Sequence, residues 1–183
     1  ERMPLWLAAG QTAAIAGFTV ILGFLEPMLL VNYLGMLTKN LPLIACIWAA
    51  WLLAKEGWTP RATWLLRGGV ALVWLTEGLL PKMLFLQTGE VEIIQAFGLS
   101  AEQSGKLIWV TGLAQVISGV TVLFLRGRWL WTLLLAQTLA LVFLPLMVTA
   151  VQPLMWVHPF GPLTKSMTIA VGTFVVWKRC TKF

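Results

Sequence analysis

The chain alternates long apolar segments with short polar turns, and six of these segments can be read as membrane spans, of which the second is short and contains Pro42 near its start. A helix needs about 20 residues to span the hydrocarbon core of a bilayer, and its backbone must form its hydrogen bonds within the segment. Long uninterrupted apolar runs argue against a membrane β-barrel, because the strands of a barrel alternate apolar and polar residues. The pattern therefore predicts an all-α, polytopic membrane protein with spans at about 4–25, 39–54, 62–86, 106–125, 129–150 and 163–180.

The longest polar segment, at 88–105, separates the third span from the fourth. Apolar side chains such as Ile93 and Phe97 are mixed in it with acidic ones such as Glu90 and Glu102. This mixture is typical of a short amphipathic helix that lies in the membrane interface.

Composition supports a membrane chain and excludes several other classes. Hydrophobic residues make up 59% of the sequence and charged residues 11%, whereas a soluble domain has roughly 25% charged residues. The lipid bilayer is therefore the predicted partner. The net charge of +6 does not predict nucleic-acid binding, because the basic residues stand at the ends of apolar runs and not in one patch.

The distribution of basic residues predicts the orientation. With the N-terminus inside, nine lysines and arginines flank the inner ends of the spans and four flank the outer ends. Cytoplasmic loops are enriched in basic residues, so both termini are predicted to be cytoplasmic. The inner residues are Arg2, Lys55, Arg61, Arg67, Arg126, Arg128, Lys178, Arg179 and Lys182, and the outer ones are Lys39, Lys82, Lys106 and Lys165.

Two of the predicted outer turns share a sequence pattern. Residues 26–39 (EPMLLVNYLGMLTK) align without a gap on residues 152–165 (QPLMWVHPFGPLTK), at an offset of 126. We therefore predict an internal repeat, in which 1–56 is a helix pair equivalent to the second half of a four-helix unit at 62–183. The matched residues include Gln11 with Gln137, Pro27 with Pro153, Val31 with Val157, Gly35 with Gly161, and Leu37-Thr38-Lys39 with Leu163-Thr164-Lys165.

Three stretches resemble the DoxX-like family of small four-helix membrane proteins: LLRGGVALVWLTEGLLPKMLF at 65–85, RGRW at 126–129 and VHPFGPLTKS at 157–166. The resemblance covers about residues 62–180, and the first two spans resemble the last two helices of the family unit. It implies a four-helix bundle in the cytoplasmic (inner) membrane of a bacterium or archaeon. It also implies a link to redox systems, because relatives include a subunit of thiosulfate:quinone oxidoreductase.

Polar side chains inside the predicted spans define a candidate ligand-binding site. A carboxylate in mid-membrane, such as Glu77, costs about 2.5–3.5 kcal/mol on insertion scales unless it is protonated, paired or in a wet cavity. Lys82 would be displaced from it by about 140° on a regular helix, so Lys165 is the better predicted partner. A bend at Pro81 would change this displacement, and Lys82 would otherwise point to the lipid head groups. The predicted site lies in the outer half of the bundle and contains Glu77, Lys82, His158 and Lys165, with Gln115 and Gln137 deeper.

The first copy of the repeat carries its own candidates, which are Gln11, Glu26, Asn32 and Lys39. Asn32 stands where the second copy has His158. Lys39 is expected to pair with Glu26 or with lipid head groups.

The same residues allow a structural interpretation. Glu77 and Lys165 would then form a buried ion pair that holds the helices in register, and HPFGP around His158 would be a rigid turn. Glutamines such as Gln137 are common hydrogen-bonding groups between membrane helices. The sequence leaves both interpretations open.

The sequence contains no complete set of catalytic residues, so it does not decide whether the protein is an enzyme. The chain has no aspartate, which excludes a Ser-His-Asp triad, and a single histidine leaves no metal site. No cofactor-binding motif is evident. A quinone is compatible with the candidate site, since its carbonyl groups accept hydrogen bonds from lysine, histidine or glutamine, and His158 would relay protons.

Two functions are consistent with these observations. The first is an accessory or anchoring subunit of a larger, redox-linked membrane complex, with other membrane or redox proteins as partners. The alternative is a small quinone- or lipid-binding oxidoreductase with a polar site in the outer half of the bundle. The sequence begins at Glu1 without a methionine, and an upstream segment that supplies a soluble partner or the missing half of the first copy is a hypothesis.

Overall fold

The computed structural model describes residues 3–32, 35–86, 89–158 and 160–180, and all regular structure in them is helical. The all-α prediction is therefore confirmed. The predictions that involve Arg2, Thr88, Pro159 and Lys182 lie outside the described residues. The helices are α1 (Leu5–Leu25), α2 (Met28–Val31), α3 (Met36–Glu56), α4 (Pro60–Leu79), α5 (Glu90–Gln95), α6 (Ala101–Phe124), α7 (Gly127–Val151) and α8 (Pro162–Cys180), with a π-helical turn (Leu80–Leu84) after α4 and a 3-10 turn (Pro153–Trp156) after α7.

Six helices of 19 to 25 residues lie at the positions of the six predicted spans. Four of them, α1, α3, α6 and α7, are long and apolar enough to cross a membrane. α4 and α8 are not among these four; α4 carries Arg61, Arg67 and Glu77, and α8 carries charged residues near both ends. The helices therefore indicate a membrane protein in a lipid bilayer, whereas a total of six spans stays a prediction.

Helix α4 is at the centre of the bundle, because it packs against α3, α6 and α8. Its side chains Leu66, Val70 and Val73 form the apolar core together with residues of the neighbouring helices. α7 packs mainly on α8, whereas α1 packs mainly on α3 and has Ala8 as its one buried residue. Most of the α1 surface therefore faces away from the bundle. Its apolar side chains can contact lipid tails there, because lipid tails are as apolar as the side chains of a protein core.

Glycines allow α4 and α6 to approach to backbone contact. A Cβ atom on Gly78 would lie 2.5 Å from the carbonyl oxygen of Gly112, and one on Gly112 would lie 2.8 Å from that of Gly78. Further along the same contact, a Cβ atom on Gly119 would lie 2.8 Å from the carbonyl oxygen of Ala71. Small residues at such crossings are a common way for membrane helices to pack closely.

Arg67 stabilises the other end of this helix pair. Its Nε donates a hydrogen bond of 2.6 Å to the carbonyl oxygen of Val122, and its guanidinium also donates to the carbonyl oxygen of Leu125. These carbonyls lie at the C-terminus of α6, where the last carbonyl groups have no N–H donor within the helix and the helix dipole favours a positive charge. Arg67 therefore caps α6 from the neighbouring helix.

The segment between the π-helical turn and α6 differs from the single interfacial helix that the sequence predicts. α5 covers only Glu90–Gln95, and its Ile93 is buried. Ser100 and Gln103 form a capping box that begins α6 at Ala101, so the second half of the segment belongs to a long helix. Apolar patterning does not detect this capping signal, which accounts for the difference.

The two turns that share a sequence pattern also have similar backbone geometry. Glu26 ends α1 with φ −143° and ψ 74°, and Gln152 ends α7 with φ −134° and ψ 71°. Gly35 and Gly161, just before α3 and α8, both have positive φ, at 73° and 55°. In both turns the glycine carbonyl then accepts a hydrogen bond from the lysine amide four residues on.

Replacing Gly112 with alanine is expected to destabilise the protein by about 1–3 kcal/mol, because the new methyl group would overlap the backbone of α4. Unfolding in detergent, followed by tryptophan fluorescence, measures the change. Gly68→Ala on α4 is the matched control, since no atom lies within 4 Å of its Cβ position. Equal stability of the two variants would contradict the close contact of α4 with α6.

Candidate functional site

A cavity of about 330 Å³ lies between α4, α6, α7 and α8. Its walls are mostly aliphatic, with a smaller set of polar side chains, as is typical of a site for a small organic ligand. The apolar wall includes Val73, Leu107, Ile108, Ala140, Leu141, Leu144, Pro145, Met147, Val148 and Leu163, and the polar residues are Lys39, Glu77, Lys82, Thr111, Gln115 and Ser166.

Glu77 belongs to a cluster of buried and half-buried charges at the polar side of the cavity. Thr38 of α3 donates a hydrogen bond to one carboxylate oxygen, and the ammonium nitrogen of Lys82 lies 4.0 Å from the other. Lys82 also forms a 2.8 Å ion pair with Glu90 of α5. Lys82 therefore interacts with two carboxylates, and its own side chain is only 10% exposed.

The π-helical turn explains why Lys82, and not Lys165, is the partner of Glu77. The amide of Phe85 bonds to the carbonyl of Leu80, so this turn holds one residue more than an α-helical turn and brings Lys82 back towards Glu77. The ammonium group of Lys82 also donates to the backbone carbonyl of Glu77 at 3.2 Å. The predicted pairing of Glu77 with Lys165 is wrong, because it assumed a regular helix.

Lys39 contributes a second buried ammonium group. It is 8% exposed, and its Nζ donates to the carbonyl oxygen of Pro162 at 3.2 Å. In the part of the chain that the structure describes, no carboxylate lies within ion-pair distance of it. The predicted pairing of Lys39 with Glu26 is therefore wrong, because Lys39 points into the bundle while Glu26 is exposed after the end of α1.

Two residues that line the cavity have polar atoms without a partner among the described residues. Gln115 is 8% exposed and its Oε1 accepts no hydrogen bond, and Trp74 is 7% exposed and its indole N–H donates none. A buried polar group without a partner costs about 1–3 kcal/mol. A bound ligand that carries both an acceptor and a donor would remove this cost.

Three other predicted site residues lie elsewhere. His158 is half-buried in the turn before α8, where its Nδ1 accepts a hydrogen bond of 3.3 Å from the amide of Phe160. Gln137 donates at 2.7 Å to the hydroxyl of Ser118 and so ties α7 to α6. Lys165 lines a separate groove beside α1. Of the six candidates, the structure thus brings together the three on α4, its π-helical turn and α6.

The candidate residues that precede α4 are dispersed as well. Gln11 is exposed on α1, and Asn32 is half-buried in the turn before α3. Lys39 is the exception, because it lines the cavity.

Sequence reasoning missed Trp74, Thr38 and Glu90 as parts of the site. Glu90 could have been found from the sequence, because it is an acidic residue that follows soon after Lys82 at the end of the third predicted span. Trp74 and Thr38 carry none, because tryptophan and threonine are ordinary residues within membrane helices.

These features define a class of protein, a helical membrane protein with a ligand-sized cavity that holds buried charges. Residues 71–174 match the family model of the DoxX-like family, and the chain belongs to this family. The resemblance seen in the sequence is thereby confirmed. The matched range includes Glu77, Lys82 and Gln115, whereas Lys39 lies outside it. Searches of curated proteins and of solved structures gave no match.

Replacing Lys82 with methionine is expected to destabilise the protein by about 3 kcal/mol, because two half-buried carboxylates would lose their shared cation. Glu77→Gln is expected to cost less, since Lys82 keeps its 2.8 Å contact with Glu90. Unfolding of both variants in detergent at neutral pH measures the difference.

The double variant Lys82→Met/Glu90→Gln is the control for a charge effect, because it removes one of the two stranded carboxylates. It should recover part of the stability that Lys82→Met loses. If it recovers none, the lysine acts through packing and not through its charge.

Proposed function

We propose that this protein binds an amphipathic ligand of the quinone or lipid type in the cavity, with the polar head near Glu77, Lys82 and Gln115. The observation that carries the proposal is a cavity of about 330 Å³ that joins aliphatic walls to buried charges and unpartnered polar atoms. Ligand pockets have volumes of roughly 300–1,000 Å³. A head group with a short part of its tail therefore suits this one.

The polar side of the cavity suits a ligand that both accepts and donates hydrogen bonds. The indole N–H of Trp74 is a donor for a carbonyl oxygen, and the Oε1 of Gln115 is an acceptor for a hydroxyl group. A quinone supplies the carbonyl, and its reduced form supplies the hydroxyl. The ammonium groups of Lys39 and Lys82 add a positive potential that favours a partly negative oxygen atom.

Access from the bilayer also supports an amphipathic ligand. The Gln137–Ser118 hydrogen bond ties α7 to α6, but the two helices otherwise pack loosely. Beyond this bond the cavity is bordered by Leu107, Leu144 and Met147, which are 45%, 43% and 52% exposed. An apolar tail can leave the cavity between these side chains and lie among the lipids.

A second candidate function, an accessory or anchoring subunit of a redox-linked membrane complex, is favoured by α1. This helix packs mainly on α3 and leaves most of its apolar surface uncovered by the rest of the described chain. A neighbouring membrane subunit would bury that surface.

We also propose an internal repeat, six spans, and cytoplasmic termini in a bacterial or archaeal inner membrane. The shared sequence and the positive φ angles of Gly35 and Gly161 support the repeat, and with it a division of the chain into 1–56 and 62–183. The excess of basic residues at the predicted inner ends of the spans supports the orientation.

Titration of the purified protein with a decyl-substituted benzoquinol, measured by calorimetry in detergent micelles, tests ligand binding. Gln115→Leu is expected to weaken binding about 5–10-fold, because one buried hydrogen bond is lost. Gln11→Leu is the matched control, since it makes the same replacement at an exposed amide on α1. Absence of saturable binding by the wild type, or equal affinities of the two variants, would overturn the proposal.

Native mass spectrometry of the protein, released gently from its own membrane, tests the subunit function. A companion protein at fixed stoichiometry is expected if the chain is a subunit. Phe24→Ser, at a side chain on α1 that is 84% exposed, is then expected to release the companion. A chain that carries only small molecules would contradict the subunit function.

A further inference from the structure

A second, shallower groove of about 350 Å³ lies between α1 and α3 and ends at the start of α8. Its walls on α1 and α3 are mostly apolar, and its polar groups are an amide and an ammonium group. The residues that line it include Ala14, Ile15, Phe18, Asn40, Leu43 and Lys165.

The groove corresponds to the cavity through the shared sequence pattern. At the offset of 126, residues that line the groove fall on residues that line the cavity. The lysines are exchanged, since Lys165 ends the groove beside α1 and Lys39 lines the cavity beside α7. The equivalent residues are Ala14 with Ala140, Ile15 with Leu141, Phe18 with Leu144, and Asn40 with Ser166.

The two sites differ in charge. In the cavity, Glu77 and Glu90 compensate Lys82. No acidic residue lines the groove, and among the described residues no carboxylate lies within ion-pair distance of Lys165. The groove therefore carries an uncompensated positive charge beside an apolar wall.

Asn40 gives the polar end of the groove a fixed wall. It is 3% exposed, and its Nδ2 donates a hydrogen bond of 2.7 Å to the hydroxyl of Thr19 on α1. This bond holds α1 against α3 beside the part of the groove that Lys165 reaches. The groove is thus defined by a specific contact between two helices.

We propose that this groove binds the phosphate head group of an anionic phospholipid at Lys165, with one acyl chain along α1 and α3. The uncompensated ammonium group complements a phosphate diester, and basic residues near a membrane surface attract anionic lipids. Phe18, which is 47% exposed, extends the apolar wall towards the lipid-facing surface. The proposal is independent of the ligand in the cavity, because the groove is a separate surface.

Native mass spectrometry of the delipidated protein, titrated with phosphatidylglycerol and separately with phosphatidylcholine, tests the proposal. One phosphatidylglycerol is expected to bind more tightly than phosphatidylcholine, and Lys165→Gln is expected to weaken its binding about fivefold. Lys106→Gln is the matched control, because it removes one positive charge from an exposed position on α6. It should bind phosphatidylglycerol like the wild type.

Ala14→Phe is a second variant, which fills the apolar part of the groove while Lys165 stays intact. It should also weaken phosphatidylglycerol binding. Equal affinities of Lys165→Gln and Lys106→Gln would overturn the proposal, as would displacement of the lipid by equimolar inorganic phosphate, since the site would then take a free anion. Quinol binding by Lys165→Gln, measured in parallel, distinguishes these outcomes from a failure of the cavity proposal.

Discussion

A carboxylate inside an apolar bundle needs a cation and hydrogen-bond donors at hand, and this need links several elements of the structure. Glu77 on α4 obtains a donor from Thr38 on α3 and a cation from Lys82 on the π-helical turn. Because Lys82 also pairs with Glu90, the same cation holds α5 against the bundle. α4 therefore organises the charged cluster as well as the apolar core.

The cavity exists because the helices around it pack unequally. Gly78 and Gly112 bring α4 and α6 into backbone contact, whereas α7 packs on α8 and meets α6 loosely. The space between the two pairs is large enough for a ligand, and its polar side is the charged cluster around Glu77. The close helix contact and the charged cluster thus border the same cavity, where Gln115 and Trp74 have polar atoms that find no partner among the described residues.

The helices are largely predictable from the sequence, because apolar length determines where a chain can cross a bilayer. The candidate site is predictable only in part. Glu77, Lys82 and Gln115 stand out as polar residues in apolar runs, but their pairing depends on a π-helical turn that no periodicity signals. Thr38 and Trp74 gain their roles only from which helices become neighbours, and a single sequence does not contain that information.

The unequal packing also makes one wall of the cavity stiff and the other compliant. α4 and α6 pack closely at Gly78 and Gly112, and Arg67 of α4 is hydrogen-bonded to the C-terminus of α6, so these two helices act as a fixed frame. α7 packs mainly on α8 and meets α6 chiefly through the amide of Gln137, so it can move away from α6 at lower cost. For the ligand proposed above, selectivity should accordingly be strict for the head group, which would rest on the frame, and permissive for the length and branching of the tail, which would lie against α7.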